Sequence, residues 1–136
     1  MDGKSDSNEG LFLTLEGDDG VGKSTQADLL AAWLEKRGHG VLRVHEPGGT
    51  RLGEKIRTLL LDKDDDAMAP LAELLLFEAA RAQVMSEVIE PALARGEVVV
   101  CDRFTDSTLA YQGYGRELGA ELVRATNDLA CGGRYP

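Results

Sequence analysis

The clearest chemistry in this chain lies in eight residues, Gly17-Asp18-Asp19-Gly20-Val21-Gly22-Lys23-Ser24. They fit G-x-x-x-x-G-K-S/T, a pattern that holds phosphate. Its glycines let a loop wrap an anion without Cβ clashes. Lys23 can reach the β- and γ-phosphates of a nucleotide, and the Ser24 hydroxyl can ligate Mg²⁺. A glycine-rich turn with a chance Lys-Ser is the plainer alternative, and the flanks decide against it. Leu11-Phe12-Leu13-Thr14-Leu15 reads as a buried strand. From Ser24 to about Lys36 run good helix formers, with Leu29, Leu30, Trp33 and Leu34 on one face. Backbone N–H groups and the helix dipole therefore converge on the loop.

Asp102-Arg103 is the second landmark. The run Val98-Val99-Val100 has the composition of a strand buried on both faces, and Asp102 closes it. An acid at the C-terminal end of such a strand stands where open α/β sheets gather ligand groups. Beside a phosphate loop, Asp102 suits a Mg²⁺ ion held through water. The Arg103 guanidinium can bridge donor and acceptor phosphates and stabilise charge at the transferring group. Without the loop, the pair would be an ordinary surface ion pair of little energetic weight.

Three further stretches have simple accounts when taken singly. Glu46-Pro47-Gly48-Gly49-Thr50 is a turn whose Thr50 can cap the next helix. Phe77 on an apolar helix belongs to a core, and Arg81, four residues on, is a snorkelling side chain. Asp106 to Gly113 is polar. Together they offer an aromatic face, an arginine, and amide and hydroxyl groups toward one crevice. That set suits a planar heterocycle, held by stacking and edge hydrogen bonds.

These groups need a frame, and the pattern supplies one. Strands are expected over 11–16, 41–45 and 98–101, and helices over 24–36, 52–61, from about 69 to Glu90, and over roughly 118–130. Pro91 should break or kink the long helix, and Asp102 to Arg116 reads as a polar segment. Alternating strands and helices give an α/β domain, helices on both faces of a parallel sheet.

At 136 residues the chain is one domain's worth. Its net charge of -9 argues against tracking a nucleic-acid backbone, so any phosphate must be met by a local cation cluster. Cys101 and Cys131 have no metal-ligand spacing and read as buried small hydrophobes in a reducing compartment. Residues 1–10 are polar without an apolar core, a disordered tail rather than a signal peptide, and residues 11–136 form the domain. No apolar run is long enough to span a membrane. The expectation is a soluble, cytoplasmic protein that engages neither nucleic acid nor membrane.

In these motifs together, the sequence resembles the thymidylate kinase family, P-loop enzymes that phosphorylate dTMP with ATP to give dTDP and ADP. The carriers are Leu15 to Gln26, Glu46 to Thr50 with Gly53-Glu54 and Ile56-Arg57, Leu76-Phe77 with Ala80-Arg81, and Cys101 to Phe104 with Asp106-Ser107 and Leu109 to Arg116. They keep the family's order and spacing from residue 15 to 116. The resemblance implies a three-layer α/β/α P-loop NTPase fold. Gly17, Asp18, Asp19, Gly20, Val21, Gly22, Lys23, Ser24 and Thr25 would cradle the ATP phosphates, with Mg²⁺ on Ser24 and Asp102. Lys23, Asp102 and Arg103 would be the catalytic residues. Asp19 would hold the dTMP 3′-hydroxyl, and Arg57 and Arg103 its phosphate. Phe77 would stack on thymine and Arg81 would bond its carbonyl edge. Ser107, Thr108 and Gln112 would line the rest of the base site. Tyr111 would sit under the sugar and select deoxyribose, and Pro47 would wall the site. Glu46 would lie close enough to influence Mg²⁺ or phosphate.

Gly20 and Val21 after Asp19 match the style in which arginines come from a later lid. Family members continue beyond Pro136 into a strand, that lid, a final strand and a closing helix, so the match covers their N-terminal two thirds. Within this chain Lys23, Arg57, Arg103 and Mg²⁺ would supply the positive charge that phosphoryl transfer needs. The expectation is that the 136-residue chain alone is poorly stable and nearly inactive, with its dTMP site largely encoded.

Two rivals stand beside this reading. Another nucleoside monophosphate kinase would use the same loop and Asp102-Arg103. A nucleotide-dependent switch would need an N-K-x-D pattern, and none occurs. The long helix at 69–90 carries apolar residues on more than one face, from Leu71, Leu74 and Leu75 to Val88 and Ile89. Either its own chain buries both sides, or a partner covers one; the resemblance implies a homodimer through it. The acidic run from Asp62 to Asp66 reads as a solvated loop.

Overall fold

A computed structural model of the chain describes residues 9–17, 22–62 and 68–136. Three parallel strands form the centre: β1 (Leu11–Leu15), β2 (Val41–His45) and β3 (Val98–Asp102), in the order β1-β3-β2. The register sets Leu15 and His45 on either side of Asp102, so all three C-terminal strand ends meet along one line. The ladder runs slightly further, with Glu46 N–H donating to the Asp102 carbonyl at 3.0 Å and Arg103 N–H to the Leu15 carbonyl at 2.9 Å.

Alternation of side chains across the pleat builds two cores. Leu13, Leu15, Val98 and Val100 face α1 (Lys23–Glu35) through Ala27, Leu30 and Leu34. Phe12, Val44, Val99 and Cys101 face the other layer, built from α3 (Pro70–Val84), a π-helical turn (Met85–Ile89) and α4 (Glu90–Ala94). The expected α/β/α layering is therefore present, with helices on both faces of a parallel sheet. Between β2 and α3 lies α2 (Arg51–Leu61), capped by Thr50, whose Oγ1 accepts the Gly53 N–H at 2.8 Å.

Three expectations need correction. On α1 the sheet-facing residues are Ala27, Ala31 and Leu34, while Leu29 and Trp33 are exposed. The small alanines let helix and sheet approach closely, and the Arg37 guanidinium covers the Trp33 ring at 3.7 Å. Pro91 does not end the long helix. The preceding turn widens to i→i+5 bonding, with Glu90 N–H on the Met85 carbonyl. That opening makes room for a ring that would clash in a regular α-turn.

The segment after β3, which the sequence marks only as polar, is helical, with α5 (Thr105–Thr108) running into a π-helical stretch (Leu109–Gly115). Its Ser, Thr and Gly content speaks against a helix, and tertiary packing overrides it: a Cβ on Gly113 would meet Val123 of α6 (Ala120–Cys131) at 3.4 Å. The tail expected over 1–10 does not reach Gly10. Glu9 pairs with Arg134 at 2.6 Å and Gly10 N–H donates to the Leu93 carbonyl at 2.8 Å. Residues 1–8 of that tail lie outside the described residues, as does all of the acidic run after Asp62.

Candidate active site

The strand ends open into a cavity of about 790 Å³. Lys23, Ser24, Pro47, Arg57, Phe77, Arg81, Asp102, Arg103, Ser107, Thr108, Tyr111 and Gln112 all line it. With Glu46, which lines it too, thirteen residues singled out from sequence thus border one space, although they come from five helical elements, one turn and one strand end. Asp18, Asp19, Gly20 and Val21 lie outside the described residues. Gly17, Gly22 and Thr25 are described but do not border the cavity. Gly22 precedes α1 with φ 81, a left-handed conformation that favours glycine.

At the phosphate-loop end, Lys23 Nζ donates to the Gly17 carbonyl at 3.4 Å and stands 3.1 Å from Asp102 Oδ1. The latter contact is an ion pair, and Oδ1 is shielded from solvent without a hydrogen bond. Arg103 follows with φ 68, a conformation that costs a non-glycine residue about 1–3 kcal/mol and concentrates at functional sites. Its guanidinium lies 5.6 Å from the Tyr111 ring centre, so cation and aromatic are presented together. Arg57 Nη1 donates to the Pro47 carbonyl at 3.1 Å.

At the other end, Phe77 and Arg81 project from successive turns of α3, as their spacing requires. Arg81 is buried, and its nitrogens meet a full set of acceptors. Nε donates to Glu46 Oε2 at 3.0 Å, Nη1 to Glu78 at 3.2 Å and Asn127 Oδ1 at 2.9 Å, and Nη2 to Thr108 Oγ1 at 2.7 Å. Gln112 Nε2 donates to Glu73 Oε1 at 2.9 Å. Ser107 bonds Glu16 through both its N–H and its hydroxyl. That places a tie between α5 and the residue preceding Gly17.

Two carboxylates share the one Arg81 guanidinium, so the cluster titrates as a unit. Burial pushes Glu46 up to about 7 against the pull of Arg81, with Glu78 and Glu16 adding to the rise. Burial raises Glu78 as well. A folded chain that keeps this proton binds more protons than the unfolded chain between about 4.5 and about 7. Stability is then full at the acid end and falls as pH rises through that window, by up to about 1.4 kcal/mol per pH unit. Denaturant titrations across that window should show this slope, and Glu46→Gln should flatten it. A slope of the opposite sign would refute the assignment. The two cysteines are free and buried as expected, and burial raises Cys101 well above its ordinary value and Cys131 to about 12.

Sequence reasoning assigned no role to Arg43, His45, Glu73 and Arg116, which also line the cavity. Spacing carried the signal for three of them. Glu73 stands one helical turn before Phe77, and Arg43 and His45 alternate along β2 on the face of Asp102. The expected cation set of Lys23, Arg57 and Arg103 is therefore joined at the cavity wall by Arg43, paired with Asp28 at 3.1 Å, and Arg116, 3.5 Å from Glu73.

The family model for thymidylate kinase matches residues 15–136. The chain is 58% identical over 126 residues to a thymidylate kinase of Synechococcus sp. (strain JA-3-3Ab), covering 93% of this chain and 61% of that protein. It is 53% identical to the enzyme of that name from Dehalococcoides mccartyi (strain 195), with the same coverage of each. Among solved structures, thymidylate kinase from Ehrlichia chaffeensis superposes with a TM-score of 0.86 at 42% identity, over 94% of this chain and 71% of that one. The chain spans about 60% of the length of the curated relatives it matches. Matched over nearly all of its length by the family model and by these relatives, the chain belongs to the thymidylate kinase family.

Proposed function

We propose that the protein transfers a phosphoryl group from ATP to dTMP, giving dTDP and ADP. One observation carries this reading: the Lys23–Asp102 pair and the Phe77, Tyr111 and Gln112 side chains border the same cavity. A donor phosphate and an acceptor base can then be held at once, and holding both converts a bimolecular step into an effectively unimolecular one. Lys23 neutralises donor phosphate oxygens, and Arg57 and Arg103 hold the acceptor phosphate in line with them. Phe77 supplies a stacking face, and Tyr111 closes the sugar side.

Mg²⁺ suits the residues present. Among the described residues no cluster of three or more His, Cys, Asp or Glu could hold a metal, and Mg²⁺ favours sites with few protein ligands and several waters. Asp102 Oδ1, shielded and without a hydrogen bond apart from its ion pair with Lys23, can accept from such a water, and Ser24 brings a hydroxyl to the same cavity. When bound, the ion supplies positive charge across the transferring phosphates.

The same reading makes the protein a cytoplasmic homodimer. Leu59 and Leu61 of α2 with Leu71 and Leu75 of α3 leave apolar surface exposed, a feature of interaction faces. Among the described residues no helix is long and apolar enough to cross a membrane.

The deciding experiment is ADP formation from ATP and Mg²⁺ with dTMP, dUMP, UMP, dCMP and AMP offered separately. Each sample is also sedimented for its oligomeric state. It is run on this chain and on a version extended past Pro136 with the corresponding segment of a relative. Turnover selective for dTMP in the extended version is expected, with much slower turnover in the 136-residue chain. ATP binding without turnover in both would favour a non-catalytic nucleotide-binding module, and preference for another acceptor would favour a different monophosphate kinase. Sedimentation as a monomer would remove the dimer from the reading.

A further inference from the structure

The turn after β2 is packed closely enough to require glycine. Gly48 and Gly49 have φ 143 and 79, and a Cβ on Gly48 would lie 2.5 Å from His45 Nε2 and 2.6 Å from Glu54 Oε1. The anchor is α2, which grips the turn at successive points. Thr50 caps the helix start. Glu54 Oε1 then accepts the Gly49 N–H at 3.1 Å and stands 3.0 Å from His45 Nε2. One turn further, Arg57 Nη1 donates to the Pro47 carbonyl. His45, Pro47 and Arg57 line the cavity, whereas Glu54 does not.

We propose that Glu54 is a positioning residue for the acceptor phosphate. By binding Gly49 and His45 together, its carboxylate sets where Pro47 stands and so where the guanidinium tied to it points. The inference rests on the reading of this cavity as a nucleoside monophosphate site. The Gly49 N–H, above all, holds the Glu54 carboxyl below its usual range against the opposing effect of burial, and His45 and Arg57 add to the lowering. The carboxylate is accordingly an ionised acceptor across the neutral range.

A simpler role is available, since an acid in the first turn of a helix stabilises that helix through the dipole. The two roles separate by experiment. Glu54→Ala leaves Gly49 without its acceptor, whereas Glu54→Gln keeps an oxygen for it. In the extended protein, calorimetry on dTMP and ATP should show Glu54→Ala weakening dTMP about tenfold, the effect of losing a charge-assisted bond. ATP affinity should stay within about twofold, and Glu54→Gln should recover most of the dTMP affinity. Equal weakening of both nucleotides by Glu54→Ala, or none, overturns the proposal. If the unaltered protein binds no dTMP, the acceptor reading itself fails, and the positioning of an acceptor phosphate falls with it. Amide exchange at Gly49 separates that failure from one in the turn. Faster exchange in Glu54→Ala but not in Glu54→Gln leaves the anchor standing, and unchanged exchange removes it.

Discussion

Replacing Arg81 with alanine is expected to cost about 3–5 kcal/mol of stability, the range for removing one partner of a buried ion pair. For a chain of this size that lowers the melting temperature by roughly 10–20 °C. Arg81 is 2% exposed, and Glu46 and Glu78 are each 6% exposed. Removing the guanidinium leaves two buried carboxyl groups, Glu46 and Glu78, without their shared donor and leaves acceptors on Asn127 and Thr108 unmatched. The damage reaches beyond one helix, because Arg81 joins the end of β2 to α3, α5 and α6. Lysine should not restore the loss, since an ammonium cannot meet four acceptors spread around a planar fork. Combining Arg81→Met with Glu46→Gln and Glu78→Gln removes the unpartnered carboxyl groups and should recover part of it. Thermal melts of the three variants decide the matter. A loss below about 1 kcal/mol for Arg81→Ala, the level of an exposed pair, would show that the cluster is hydrated and open.

How much of this was legible in the sequence depends on what each residue's position required. The phosphate loop, the strand before it and the acid closing β3 follow from local pattern, and the structure sets those strand ends side by side. Phe77 and Arg81 share a face of α3 because their spacing is one helical turn. What pattern could not show is where polar side chains spend their hydrogen bonds. A sequence gives Arg81 as a long cationic side chain, and only the folded chain brings Asn127, forty-six residues away, to its Nη1. Ser107 and Glu16, ninety-one residues apart, meet for the same reason. Local pattern also fell short at two places, leaving one unassigned and misreading the other. The Ser, Thr and Gly content of residues 105–115 speaks against helix, and contact with α6 overrides it. Leu29 and Trp33 read as a buried face of α1 because they are large, yet the sheet selects Ala27 and Ala31 because they are small.

Lys23→Ala is expected to lower turnover of dTMP by about 100- to 1,000-fold while leaving dTMP affinity within about twofold, the signature of charge needed mainly in the transition state. The side chain is only 9% exposed and is held between the Gly17 carbonyl and Asp102, so its ammonium is placed before any nucleotide arrives. A group fixed in advance pays little reorganisation when negative charge develops on the transferring phosphoryl. Arginine should not rescue it, since its larger planar head cannot occupy the space between that carbonyl and Oδ1. Asp102→Asn should also reduce turnover, by a different route: it puts an amide where Lys23 has its counter-charge and weakens the acceptor offered to a metal-bound water. Its effect should therefore depend on Mg²⁺ concentration, and that of Lys23→Ala should not. Initial rates across a Mg²⁺ titration, on the version extended past Pro136, separate the two. If Lys23→Ala retained more than about a tenth of the turnover, phosphate charge would have to be met from elsewhere on the cavity wall. Arg43 and Arg116 would then be the residues to replace next, because the cavity already presents both to the same space.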